Sequence, residues 1–62
     1  MLEFAEKVLH KVRKLRHETQ TLVVSGAVRD MEQYKYLMGR IEGFNFVEEE
    51  IKHMIDHDKE LV

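Results

Sequence analysis

Four histidines stand in a chain of 62 residues, and His53 and His57 have the H-x-x-x-H spacing that sets two imidazoles on one face of a helix. Glu49 lies one turn earlier on that face. Overlapping this pattern is Glu50-Ile51-Lys52-His53, the E-x-x-H unit of di-iron carboxylate bundles, and antiparallel pairing of two helices would bring Glu3 and Glu6 to the same level. The chemistry would be binding of iron or zinc. Placement argues against it: on a helical wheel Glu50 and His53 fall outside the apolar arc described below, and Glu3 and Glu6 lie opposite the apolar seam of their own helix. The ligands would point at solvent instead of into a core. No catalytic residue, resident metal or cofactor is therefore expected.

A second cluster is basic. Lys7, His10, Lys11, Arg13, Lys14, Arg16 and His17 lie on one helix. In length and architecture alone this resembles RNA-binding hairpin dimers such as the plasmid copy-number regulator Rop, which implies a nucleic-acid-binding regulatory hairpin. Against it, the whole chain carries a net charge of −2, and no aromatic side chain interleaves the basic positions to stack on bases. Nucleic acid is the disfavoured partner. For nucleophilic catalysis the sequence offers no pairing of nucleophile with base. Ser25 falls in a turn, Thr19 and Thr21 are helical, there is no cysteine and no glycine-rich phosphate loop, and a two-helix chain has no concave pocket of its own. The expectation is a protein without enzymatic activity or small-molecule substrate.

These residues have to be positioned by a very small fold. A chain this short holds one domain and buries a limited core, which usually needs reinforcement. The absence of cysteine removes disulfides and thiolate zinc sites and suits a reducing compartment. With 44% hydrophobic and 35% charged residues and no proline, the composition fits a helical bundle better than a disordered chain. No apolar run is long enough to span a bilayer, and the acidic opening Met1-Leu2-Glu3-Phe4-Ala5-Glu6 is unlike a signal peptide, so a cytoplasmic location is expected.

From Met1, the positions Met1, Ala5, Val8, Val12, Leu15, Thr19 and Leu22 alternate in steps of four and three, with Leu9 and Val23 widening the stripe. This predicts a first helix over about residues 2–25. Val24-Ser25-Gly26-Ala27 supplies the stop, and residues 26–30 a turn. Asp30 caps a second helix, with Gln33 reaching back in a D-x-x-Q variant of the capping box, and that helix should run over about 31–57 before Asp58 to Val62 fray. A short connection makes the two helices antiparallel neighbours. The fold class is thus all-α, an antiparallel two-helix hairpin.

Charge divides between the halves. Met1 to Gly26 holds five basic and three acidic residues, net +2, and Ala27 to Val62 five basic and nine acidic, net −4. Pairing of Lys7 with Glu49, Lys11 with Asn45 and Lys14 with Glu42 across the hairpin would account for the division.

The second helix is apolar over too wide an arc. Tyr34, Leu37, Met38, Ile41, Phe44, Val47, Ile51, Met54 and Ile55 cover about 200°, with Tyr36 at the edge, whereas one neighbour needs about half of that. Gly39 and Gly43 lie at its margin beside Phe46 and Tyr36, and each costs roughly 1 kcal/mol of helix stability relative to alanine, which a close helix crossing would offset. Tyr36, Gly39, Gly43, Phe46, Val47 and Met54 are accordingly expected to form an oligomer or partner interface. The simplest cover is a second copy, giving a homodimeric four-helix bundle, and a larger protein assembly is the other.

Leu22-Val23-Val24-Ser25-Gly26 followed by Asp30-Met31-Glu32-Gln33-Tyr34-Lys35-Tyr36-Leu37-Met38-Gly39-Arg40-Ile41-Glu42-Gly43 resembles small uncharacterised proteins of tailed bacteriophages, in which a helix ends in Ser-Gly and the next runs through Glu-x-Tyr-Lys and Gly-x-Ile-x-Gly. The resemblance covers about the middle third of the chain. It implies a structural or accessory role in phage assembly, in the host cytoplasm or the virion, and no catalytic residues.

Overall fold

A computed structural model describes the backbone of residues 2–61 and the side chains of residues 2–57; Met1, expected to open the first stripe, and Val62 lie outside the described residues. The chain forms α1, Leu2–Val24, and α2, Met31–Leu61, which pack against each other as a helical hairpin. Its extents of 49 × 15 × 12 Å are one long helix by two helices side by side.

Local chemistry sets the boundaries. The helical ladder of α1 closes with Ser25 N–H donating to the Thr21 carbonyl at 2.9 Å, while the Ser25 hydroxyl donates to the Leu22 carbonyl, also at 2.9 Å. Gly26 then turns the chain at φ +81°, the left-handed region in which an L side chain is strained. At the start of α2 the Asp30 carboxylate accepts from Gln33 N–H at 2.8 Å, as an N-cap should. The Gln33 side chain reaches back one residue further than a capping box requires, accepting from Arg29 N–H at 2.8 Å. At its other end α2 continues to Leu61, past the expected boundary near residue 57 and through the segment expected to fray.

The core is a narrow seam. Leu37, Ile41 and Ile55 of α2 are buried and Phe44 and Ile51 half-buried, a four-three alternation along one stripe. On α1 the seam runs through Ala5, Leu9, Val12, Thr19 and Val23, so the two residues expected only to widen the stripe, Leu9 and Val23, are central, and Leu22 lies outside it. Thr19 is buried without penalty because its hydroxyl donates to the Leu15 carbonyl at 3.0 Å.

Register differs from the expected pairing for a related reason. Asn45 accepts from Arg16 at 3.0 Å in place of facing Lys11, a displacement of about five residues, or roughly 7 Å at the helical rise. The six residues from Ser25 to Asp30 climb as they cross, so the first turns of α2 overhang the end of α1. Met31, Tyr34 and Tyr36 on that overhang are exposed. Lys7 bonds within its own helix, to Glu3 at 3.8 Å.

Candidate functional site

Among the described residues, one acidic side chain is drawn into the seam. Glu48 occupies the stripe position between Phe44 and Ile51, where the spacing calls for an apolar residue, and its side chain is 13% exposed. Arg13 donates from Nε to Glu48 Oε2 at 2.5 Å, and Arg16 donates from Nη1 to Glu48 Oε1. The two guanidinium groups hold the Glu48 carboxyl below the usual carboxylate range, the hydrogen bond from Arg13 contributing most and that from Arg16 next, against a smaller opposing effect of burial. The arrangement makes Arg16 part of the seam and explains why α1 is rotated toward Leu9. An acidic residue interrupting a four-three apolar stripe was visible in the sequence; a stripe read only for its apolar members passes over it.

This cluster also orients the hairpin. Arg13 and Asn45 lie about 80–100° round from the seams of their helices, and they mark one side of the molecule. Because the helices run in opposite directions, residues rotated the other way from each seam share the opposite side. On α1 these are Phe4, Val8, Leu15 and Leu22; on α2 they are Tyr36, Gly43, Val47 and Met54, about 80–120° from the seam. The hairpin therefore has a mixed side bearing Arg13 and Asn45, with Leu2, Val24, Tyr34 and Met38 toward its ends, and an apolar side to which both helices contribute. Arg40 lies flat on the apolar side, its guanidinium 6.0 Å from the Tyr36 ring centroid and 5.7 Å from that of Phe44.

The expected interface residues divide on this geometry. Tyr36 is 63% exposed and Met54 65%, and they share the apolar side with Val47 and Gly43. Phe46, 68% exposed, and Gly39 sit on the back of α2, turned away from α1 and from that face. A Cβ built on Gly39 or Gly43 would meet nothing within 4 Å, so neither glycine is needed for packing inside the hairpin. Sequence reasoning missed the α1 half of the face, Phe4 and Leu22, which are exposed, with Val8 and Leu15 half-buried. The signal was a second four-three alternation, 4-8-11-15-18-22, carrying Lys11 and Glu18 at its third and fifth positions.

The histidines and the basic run are dispersed. His10, His17, His53 and His57 are exposed, as is Glu50, while Glu49 bonds Lys52 at 3.6 Å. Among the described residues no three His, Asp or Glu side chains are placed to hold one metal ion. Of the basic residues on α1, Lys7, Arg13 and Arg16 are engaged by Glu3 and Glu48. A shallow depression at the end of α1 is lined by His17, Gln20, Thr21, Val24 and Ser25 and brings no acid or nucleophile-base pair together. Among the described residues no helix is long and apolar enough to cross a membrane. Comparison with family models, with curated proteins and with solved structures finds no match.

Proposed function

We propose that this chain is a non-enzymatic assembly module that works by covering the apolar side shared by α1 and α2 with another helical surface, in the first place a second copy of itself. One observation carries the reading: Tyr36, Val47 and Met54, large apolar side chains spaced along one side of a single helix, remain exposed in a hairpin whose own seam is already filled. Large apolar side chains left exposed along one side of a helix, here with Arg40 and Glu50 between them, are unfavourable in water and suit an interaction site. A hairpin of 62 residues also gains stability by association, because binding to the folded state alone draws the folding equilibrium with it.

The reading as an RNA-binding regulator is weaker, since Arg13 and Arg16, the most forked of the α1 cations, are occupied by Glu48. The reading as a metal-binding bundle requires ligands facing a core, and His53 and Glu50 face outward. On the resemblance of residues 22–43 to small tailed-phage proteins, the setting of the assembly is phage head or neck construction.

Sedimentation over about a hundredfold range of concentration tests the proposal, because association responds to mass action and a filled monomer does not. A dimer dissociating on dilution is expected. A folded monomer throughout would remove self-association and leave a heterologous partner as the cover.

A further inference from the structure

The apolar side has two helical stripes, and both carry charges at regular places. On α1 Lys11 and Glu18 alternate with the apolar residues; on α2 Arg40 and Glu50 do, with Gly43 between them. Their order along the hairpin decides how two copies can meet. Arg13 contacts Glu48, and Arg16 contacts both Asn45 and Glu48, which sets residues 13–16 beside 45–48 to within about one helical turn; at the register shared by Arg13–Glu48 and Arg16–Asn45, Lys11 is level with Glu50, Leu15 with Val47, and Glu18 with Gly43.

Resting on the self-association reading above, we infer that two hairpins associate face to face about a two-fold axis parallel to the helices, so that α1 of each copy lies antiparallel on α2 of the other. That axis preserves levels. Leu15 of one copy then meets Val47 of the second, and Val8 meets Met54. Lys11 stands beside Glu50 of the second copy, and Glu18 lies over Gly43 within reach of Arg40. Two apolar pairs form, and Lys11 and Glu18 each meet an opposite charge, which is the complementarity that selects orientation at an interface. The alternative two-fold axis, perpendicular to the helices, lays α1 on α1 and α2 on α2. With that axis near the middle of α1 it would set Lys11 against Leu15 and Val8 against Glu18, and Val47 against Glu50 on α2, burying charges on apolar side chains.

The glycine acquires a purpose in the first arrangement. Gly43 leaves the gap in the α2 stripe through which Glu18 of the second copy passes to Arg40, and open space above its Cα is what the structure provides. Phe46 and Gly39, on the back of α2, take no part.

The absence of cysteine makes the test direct. Lys11→Cys and Glu50→Cys variants, each exposed in the hairpin, are prepared separately, mixed, and oxidised. A disulfide needs Cα atoms within about 7 Å, so only neighbouring positions will join. A covalent dimer is expected from the mixture and not from either variant alone. Cross-linking of Lys11→Cys by itself, at a level equal to the mixture, would show α1 lying on α1 and overturn the inference. No cross-link in a mixture that sediments as a dimer would also overturn it, while leaving self-association standing; a mixture that sediments as monomer would bring down both. In the cysteine-free chain, Lys11→Glu and Glu50→Lys should each raise the dimer dissociation constant by about tenfold, and the two together should return it to within about threefold of the original. Equal losses with no recovery in the double variant would count against the pairing.

Discussion

Replacing Glu48 by glutamine keeps the shape of the side chain and removes its charge. Arg13 is about half exposed, so its pair with Glu48 is worth a few tenths of a kcal/mol. The Arg16 pair, 23% and 13% exposed, is better shielded, and a charge-assisted hydrogen bond there contributes about 1–2 kcal/mol. Glutamine retains one neutral acceptor, which leaves an expected net loss of about 1–2 kcal/mol, or a fall of roughly 5–15 °C in Tm for a domain of this size. Thermal melts followed by circular dichroism at fixed protein concentration measure it. The pH dependence follows from the lowered Glu48 carboxyl. Its folded-state pKa lies below the unfolded value of about 4.3, so the contribution is complete above that value and disappears as pH falls through the folded pKa. The gap in Tm between wild type and Glu48→Gln should be full at neutral pH and close in acid, where both side chains are neutral. Equal melting temperatures at pH 7, or a gap that persists undiminished in strong acid, would refute the account of Glu48 as an ionised seam residue.

Gly26→Ala should lower stability by about 1–2 kcal/mol, read as a lower urea midpoint with an unchanged slope, because φ +81° is strained for alanine whatever space surrounds it. Gly43→Leu should leave helicity intact or raised, since leucine is the better helix former by nearly 1 kcal/mol, yet shift the sedimentation profile toward monomer; unchanged assembly would place the interface elsewhere. Protein purified without chelators is expected to carry no stoichiometric iron or zinc, and metal lost on changing His53 and Glu50 to alanine would contradict this. A salt-dependent RNA gel shift abolished by reversing Lys14 would likewise favour a nucleic-acid role over an assembly role.

Local rules carried far in this protein. The four-three apolar periodicity, the stop at Ser25-Gly26 and the cap at Asp30 are properties of short segments, and they determine two helices and a turn whatever the rest of the chain does. The excess width of the α2 stripe is equally local, and with it the identity of Tyr36, Val47 and Met54 as residues a single neighbour leaves uncovered.

Relative rotation and register were decided only in the tertiary structure, because each is a compromise between two surfaces. Both α1 stripes are apolar enough to serve as the seam. The stripe through Leu9 and Val23 is the one that carries Arg16 to Glu48; the periodicity of each helix places its own member on a stripe, but not the two opposite each other, because they are far apart in sequence. That choice turns Phe4 and Leu22 outward beside Tyr36 and Met54, while the α2 seam through Leu37 and Ile55 leaves Phe46 on the back. The sequence determined how much apolar surface the chain would leave uncovered; the ion pairs across the hairpin determined on which side it lies.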